Sequence, residues 1–431
     1  MRGGLHGEGT VSEKNHSLSH WLMLAACCGL AAGSIGLCFN CSGIFFTSVA
    51  KDLGVGQGAV ALSLTLMNLM TGLLSPVVVT LMRKVPLRLL LIGGVLLAVG
   101  ATLLMAGMQH ILVFYVLSLL RGLGACMFSN AALSVLLNNW FQERNGFAVG
   151  LAFCFSGVGG TFFNPLLKAC MESMGWRTAY LVMAGLIAAV SLPGALFVRL
   201  RPEEKGLVAY GASDSPEASA VAASASAASG AQSAGAAATG NSILLSILLA
   251  AVAFLTCYVT GFGQHLSGFG ESIHMVGTAS AMLVSASMVG NIAFKLLLGV
   301  LSDKIGAIRA CMLLFAANLL SLFGMFFLPG DGVLMPMLIP FLYGTCFAIT
   351  SVGMPLVARA ATTPEQYDHT VGIMSMMTNF GGAVSLTAIG ALYDWTGSYG
   401  SAIGMCAGVS GACLGLLGVI AVKTRKELTK R

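Results

Sequence analysis

Two cations lie within long apolar stretches of the sequence, where a charge is costly. Lys295 lies in the apolar run 278–301, and Arg121 lies in the apolar run 111–137. A charged side chain at the centre of a membrane helix costs roughly 2.5–3.5 kcal/mol on insertion scales. Such a residue is expected to face a wet cavity or to pair with an anion. These residue types therefore predict a site that attracts a small, negatively charged molecule.

Each cation also has a structural interpretation. Lys295 could extend its stem to the membrane interface, but Asp303 at that interface is eight residues away. Eight residues correspond to about 12 Å of helix, and a lysine side chain spans only part of that distance, so we favour binding. Arg121 could equally tie its helix to backbone carbonyls or to the glycine-rich segment that follows, and both interpretations stay open.

Further polar residues inside apolar runs are candidates for lining the same cavity. His265 could contact a ligand or take up a proton near neutral pH, or it could simply be a polar residue at a helix end. The neutral candidates could instead join helices through hydrogen bonds; they are Asn40, Asn291, Tyr343 and Asn379.

The composition requires that these residues lie in a membrane. Hydrophobic residues make up 57% of the 431 residues and charged residues 9%, whereas a soluble domain carries about 25% charged residues. A membrane helix needs roughly 20 apolar residues, and lipid offers no partner to backbone N–H and C=O groups. We therefore predict an all-α integral membrane protein with twelve transmembrane helices, here called spans one to twelve: 22–49, 60–82, 87–108, 111–137, 147–170, 178–198, 243–264, 278–301, 307–328, 334–357, 370–392 and 402–422.

The twelve spans divide into two similar sets of six. Four glycines in each set match at one constant spacing along the chain, here called the repeat offset, namely Gly150, Gly159, Gly160 and Gly175 with Gly372, Gly381, Gly382 and Gly397. Arg121 and Tyr343 share that offset. We expect two six-helix pseudo-repeats, at 21–200 and 242–422, with a substrate site near the midplane between them. Residues 201–241 contain a stretch rich in Ala, Ser and Gly, which predicts a flexible linker.

The charges of the loops predict the orientation. Most Lys and Arg residues fall in one set of loops and tails, which includes Arg83, Arg144 and Lys304, whereas the opposite set carries Lys51, Lys168 and Arg177. The positive-inside rule assigns the first set to the cytoplasm. The tails 1–20 and 423–431 are then both cytoplasmic, and the location expected is a cell (plasma or inner) membrane.

A loop of closely spaced glycines and charges follows span eight and contains Gly299, Asp303, Lys304, Gly306 and Arg309. A carboxylate there can pair with a helix N-terminus or an Arg and hold one conformation closed. In this motif the chain resembles the major facilitator superfamily, whose signature is G-x-x-x-D-[RK]-x-G-x-[RK][RK], and the resemblance covers the whole chain. The loop after span two has Val79 for the glycine and Arg83 for the acid, so its latch is expected to work differently or to be weaker.

Several segments resemble the oxalate/formate antiporter and monocarboxylate transporter branch of that superfamily: 139–146, 150–165, 175–177, 201–211 and 290–295. The resemblance implies that Lys295, where the branch usually has Arg, binds the substrate carboxylate. Proton-coupled members have an acid where this chain has Asn291, and the oxalate/formate branch has a second cation in span eleven, where 370–392 has none. The sequence therefore gives little support to a carboxylate proton relay or to a doubly charged substrate.

These features predict a secondary transporter that moves small organic anions, foremost monocarboxylates, by alternating access as an antiporter or a proton symporter. The alternatives are an exporter of drugs or hydrophobic metabolites on the same fold, or a transporter-like sensor that does not transport. The sequence contains none of the motifs GxxxxGK[ST], GxGxxG, HExxH and GxSxG, so we expect no enzyme, cofactor or metal site. The expected partners are the anion, protons and the lipid bilayer, with no nucleic acid and a monomer as the functional unit.

Overall fold

A computed structural model describes residues 7–211, 240–273, 275, 278–328 and 334–428. Helices dominate these residues, and an isolated β-bridge joins Phe141 to Tyr210. The first six spans lie in Gly7–Ala31 with the π-helix Ala32–Asn40, Gly43–Phe45 and Phe46–Leu53, then in Gln57–Leu81, Leu87–Met105, Ile111–Cys126 with Asn130–Trp140, and Asn145–Phe197. The last six lie in Gly240–Gly261 with Phe262–His265 and Leu266–Ser272, then in Thr278–Ile305, Ala307–Phe326, Leu334–Tyr343 with Thr345–Ala348, Ile349–Gly353 and Met354–Ala361, Pro364–Thr396, and Tyr399–Leu428.

Ten helical segments among the described residues are long and apolar enough to cross a membrane. One of them, Asn145–Phe197, contains two spans, because Gly175 leaves the helical conformation with φ 84° and ψ 162°. Span eleven lies in the 33-residue helix Pro364–Thr396, which is not among the ten. All twelve predicted spans coincide with helices, and the prediction of an all-α membrane fold is confirmed.

The packing of the helices repeats at the offset that the glycines predict. A Cβ on Gly159 would lie 3.2 Å from the carbonyl oxygen of Ala32 in span one, and a Cβ on Gly381 would collide with the carbonyl oxygen of Phe254 in span seven. Ala32 and Phe254 are themselves separated by the repeat offset. Small residues let helix backbones approach closely, so the same glycine-mediated contact occurs once in each half.

Residues 198–211, here called the strap, pack against the loop between spans four and five. The Tyr210 carbonyl accepts hydrogen bonds from the backbone N–H groups of Gln142 (3.0 Å) and Glu143 (3.1 Å). The Trp140 indole donates to the Arg199 carbonyl at 2.9 Å. Burial, followed by the charge of Arg199, lowers the pKa of Lys205 below its usual range. The first residues of the predicted linker thus belong to the packed structure, and 212–239 lie outside the described residues.

The twelve cysteines are free thiols. Eleven of them are buried, and Cys257 is half-buried. They lie among apolar side chains of the helices, where cysteine acts as a small hydrophobic residue.

Candidate binding site between the two halves

Lys295 is buried between spans eight and five. The residue is 3% exposed, and its Nζ donates to the Phe153 carbonyl at 3.2 Å and to Ser156 Oγ at 2.8 Å. Both acceptors are neutral, and the ion pairs found in the described part of the chain do not include Lys295. A buried ammonium without a counter-ion is strongly unfavourable, so an anion that reaches it gains a large electrostatic attraction.

The side chain of Lys295 does not extend toward the nearest helix ends. We call the end that carries Arg83, Arg144 and Lys304 the basic end. A Cβ on Gly150 would lie 2.7 Å from the carbonyl oxygen of Lys295, whereas Nζ reaches Phe153 and Ser156, which follow Gly150 along span five away from the basic end. The lysine therefore directs its charge into the protein and not to the membrane interface.

Ser156 of span five connects two of the predicted site residues. Its Oγ accepts from Lys295 Nζ and donates to the Phe153 carbonyl at 2.6 Å. Its own carbonyl accepts from Asn40 Nδ2 of span one at 3.1 Å. The structure thereby links Asn40 of span one to Lys295 of span eight through Ser156 of span five. The sequence gives no signal for this serine, because its partner Lys295 is 139 residues away.

Asn291 lies one turn before Lys295 on span eight and faces span five. A Cβ on Gly157 would lie 3.6 Å from Asn291 Nδ2. The residue is 3% exposed, and its Oδ1 has no hydrogen-bond partner among the described residues. An unpaired buried acceptor costs about 1–3 kcal/mol, so Oδ1 is available to a donor on a ligand.

Arg121 and Tyr343 make equivalent contacts in the two halves. Arg121 Nη2 donates to the carbonyl of Cys38 at 3.0 Å, within the π-helix of span one. Tyr343 Oη donates to the carbonyl of Val259 in span seven at 2.6 Å. Arg121 also contacts the carbonyl of Leu37 at 3.4 Å, and the repeat offset again relates Leu37 to Val259. Within the described residues, neither side chain hydrogen-bonds to Lys295, Asn40 or Ser156.

His265 and Asn379 lie apart from this line of hydrogen bonds. His265 belongs to the helical turn Phe262–His265, with its ring 6.1 Å from that of Tyr399. Asn379 Nδ2 donates to the Ser375 carbonyl of its own helix at 2.7 Å. Asn379 borders a pocket of about 30 Å³ with a mixed polar and apolar lining, which has room for about two water molecules. Other polar residues around that pocket are Ser75, Ser129, Asn130, Thr350, Ser375 and Thr378.

Spans five and eight meet at the five–eight interface, which runs from Lys295 to the basic end. Asp303 Oδ1 accepts from the backbone N–H of Gly146 at 2.8 Å, and Oδ2 accepts from that of Phe147 at 2.9 Å. These N–H groups open the helix Asn145–Phe197, whose positive N-terminal end favours a carboxylate. A Cβ on Gly299 would collide with the Gly146 carbonyl, so the two backbones are in direct contact.

The rest of the motif after span eight forms the turn into span nine. Gly306 has φ 89°, which favours glycine, and it precedes the helix Ala307–Phe326. Lys304 and Arg309 are exposed at the basic end.

Spans two and eleven meet at the two–eleven interface, which is closed by an ion pair. Arg83 Nη2 lies 2.6 Å from Asp368 Oδ2, with the two side chains 50% and 16% exposed. Arg83 stands where the motif has its acid, and Asp368 is the residue that the repeat offset matches to Gly146. A Cβ on Gly372 would lie 3.0 Å from Pro76 Cα. The two–eleven interface thus places the cation on the loop of the first half and the acid on the helix of the second half, the reverse of the arrangement around Asp303.

Two further hydrogen bonds join the halves at the basic end. Arg359 Nη2 donates to the Gln142 carbonyl at 3.1 Å, and Tyr367 Oη donates to the Ser134 carbonyl at 3.4 Å. The described residues contain no group of three or more His, Cys, Asp or Glu side chains that could hold a metal ion. With the basic end closed by these contacts, Lys295 offers a buried ammonium between neutral acceptors.

Comparison with known proteins identifies a family of membrane transporters. The family model of the Major Facilitator Superfamily matches residues 28–386. The chain is 23% identical to monocarboxylate transporter 12 of Rattus norvegicus over 417 residues, which cover 90% of this chain and 82% of that protein. It is 25% identical to monocarboxylate transporter 11 of Homo sapiens over 374 residues, covering 86% and 72%. With monocarboxylate transporter 3 of Gallus gallus it shares 28% identity over 188 residues, covering 43% and 34%.

Proposed function

The chain belongs to the Major Facilitator Superfamily, and from that premise we propose that it carries monocarboxylates across the membrane by alternating access. Membership makes the chain a multi-pass membrane transporter with a small-molecule substrate. The superfamily match and the monocarboxylate transporter relatives also confirm the resemblance noted in the sequence. The names of those relatives support the substrate class proposed for this chain.

The observation that carries the proposal is the buried ammonium of Lys295 between neutral acceptors. A carboxylate that replaces them forms charge-assisted hydrogen bonds, which are about twice as strong as neutral ones. Arg121 donates to carbonyls of span one and makes no hydrogen bond to Lys295, Asn40 or Ser156, so we place one cation, Lys295, in the site. One cation neutralises one negative charge, which favours a monocarboxylate over a dicarboxylate.

Anion exchange is the mode that the electrostatics favour. In the closed arrangement at the basic end, the anion reaches Lys295 from the opposite end, and the five–eight and two–eleven interfaces must then separate to release it. An empty site would return with an uncompensated buried ammonium, which is unfavourable. A return with a second anion avoids that cost, so we propose antiport, with proton symport as the alternative.

The arrangement in the cell follows from the loop charges. We place the basic end and both termini in the cytoplasm of a cell (plasma or inner) membrane, with residues 21–200 and 242–422 as the two moving bundles and a monomer as the unit. Epitope tags on each terminus that become accessible in intact cells without permeabilisation would contradict this orientation.

The test compares wild type with Lys295→Gln in liposomes that are loaded with one monocarboxylate and exposed to a labelled one. Removing a charged partner weakens anion binding about tenfold to a hundredfold, and exchange falls accordingly. Thermal stabilisation of the purified protein measures binding independently of flux. Lys51→Gln is the matched control, because it makes the same change at an exposed lysine of the opposite end, outside both interfaces.

The outcomes separate the candidate functions. Undiminished binding and exchange by Lys295→Gln would overturn the proposal. Stabilisation by hydrophobic cations or neutral drugs, with none by carboxylates, would identify an exporter. Binding of carboxylates without flux would identify a sensor.

A further inference from the structure

We propose that Ser156 is a positioning residue, which holds Lys295 on span five until an anion displaces it, so that anion binding itself loosens the five–eight interface. The inference rests on the proposed function in one respect, namely that Lys295 is the ligand of the anion. It adds a role for a residue of the other half and a link between binding and the opening of the basic end.

The three groups form a closed hydrogen-bonded triangle. Lys295 Nζ donates to Ser156 Oγ and to the Phe153 carbonyl, and Ser156 Oγ donates to the same carbonyl. A serine hydroxyl has one proton, and Ser156 uses it on Phe153, so its remaining lone pairs face the ammonium. Ser156 is fully buried, which leaves the hydroxyl no competing water.

A carboxylate that accepts from Lys295 through both of its oxygens competes with span five for the ammonium protons, because one N–H group alone is unengaged. Two of the three N–H groups of Lys295 are already engaged, and both acceptors belong to the first half of the chain. Each bond that a carboxylate takes from them is therefore a bond lost between the halves. A ligand that prefers the state in which those bonds are broken shifts the population toward that state.

Lys295 lies at one end of the five–eight interface, and for this reason the loss of its hydrogen bonds loosens the contact between the two spans. Between Lys295 and Asp303, the two spans meet through the backbones of Gly146, Gly150 and Gly299, which have no side chains to form hydrogen bonds. The hydrogen bonds of Lys295 thus lie at one end of the five–eight interface, and those of Asp303 lie at the other. When the hydrogen bonds of Lys295 are released, those of Asp303 remain as the polar contact between the two spans.

The first experiment measures the affinity of purified full-length variants for short monocarboxylates (acetate, propionate, lactate and pyruvate) by titrated thermal stabilisation. Ser156→Ala removes one of the two acceptors that compete with the anion, so the dissociation constant falls about threefold to tenfold. Ser156→Thr keeps an acceptor oxygen and restores the wild-type value. The matched control is Ser287→Ala, because Ser287 is equally buried but its Oγ donates at 2.7 Å to Val284 of its own helix.

The second experiment follows hydrogen exchange in peptides 147–157 and 292–302, with and without the best-binding monocarboxylate. Exchange in both peptides becomes faster on binding in wild type, and it does not change in Lys295→Gln. Slower or unchanged exchange in wild type would overturn the link between binding and opening, and this readout does not depend on whether any Ser156 variant folds.

The failures of the two proposals are distinguishable. If Lys295→Gln binds monocarboxylates as wild type does, the proposed function fails. If Lys295→Gln loses binding while Ser156→Ala binds no more tightly than Ser287→Ala, the positioning role is overturned and the proposed function stands.

Discussion

The five–eight interface and the two–eleven interface both join the two halves, at positions that the internal repeat makes equivalent, and different chemistry holds each of them. At the first, Asp303 accepts from backbone N–H groups that the helix already fixes in place. At the second, Arg83 and Asp368 meet side chain to side chain, and an exposed pair must order both side chains and is screened by water. A repeat can thus keep the place of a contact while it reverses the charges and changes the rigidity.

The largest expected effect comes from a methyl group between the backbones of each interface. A Cβ at Gly299 collides with a carbonyl of the facing helix, whereas one at Gly372 lies 3.0 Å from Pro76 Cα. Overpacking costs about 1–3 kcal/mol of stability. We expect the loss for Gly299→Ala to lie near the upper end of this range and the loss for Gly372→Ala near the lower end. Thermal unfolding of both variants measures the difference. Equal losses would show that the two interfaces are equally tight.

A smaller effect is expected from neutralising the two acids, one in each interface. Asp303→Asn keeps the size of the side chain but loses its charge at a helix N-terminus, which is worth about 0.3–1 kcal/mol. Asp368→Asn should cost less, because the long side chain of Arg83 must be ordered to meet Asp368, whereas the helix already fixes the N–H partners of Asp303. Hydrogen exchange of residues 145–150 and 364–369 reports the opening of each interface. A larger increase in exchange at 364–369 for Asp368→Asn than at 145–150 for Asp303→Asn would contradict this ranking.

The smallest net effect is expected from swapping the two charges of the two–eleven ion pair. Arg83→Asp alone brings two carboxylates together and should cost at least as much as Asp368→Asn, up to about 1 kcal/mol as for other exposed pairs. The double variant Arg83→Asp with Asp368→Arg restores the pair and the exchange rate in liposomes. The defect of the single variant should shrink above about 0.15 M salt, where charges are screened within about 8 Å. A double variant as impaired as the single one would mean that the sign of each charge matters beyond the pair.

The fold could be predicted because its signals are local or periodic. Long apolar runs define the spans, and the repeat offset places Gly175 and Gly397 at equivalent corners. Both adopt positive φ, 84° and 69°, which a side chain would strain. The breaks within the spans carried no such signal, since the π-helix Ala32–Asn40 has its contact with Arg121, a residue far away in the sequence.

The candidate site could be predicted only in part. Lys295 was recognisable from the cost of its charge, but Ser156 was not, since its importance lies in a contact with the other half. Asp368 could have been found: Arg83 in the place of the motif acid requires an acid on the facing helix, and Asp368 is the repeat counterpart of Gly146. Which polar residues face the cavity depends on helix rotation, which a single sequence does not record.

The burial of eleven of the twelve cysteines, with Cys257 half-buried, makes the protein a good carrier for chemical labels. Maleimides and spin-label reagents react with accessible thiolates, and the native thiols lie within the helix packing. Background labelling of the folded wild-type protein should therefore be low. A single cysteine placed at an exposed position such as Trp395, which is 86% exposed, then reports its own side of the membrane without prior removal of the native cysteines. Distances between two such labels could follow the movement of the halves in an otherwise unmodified chain.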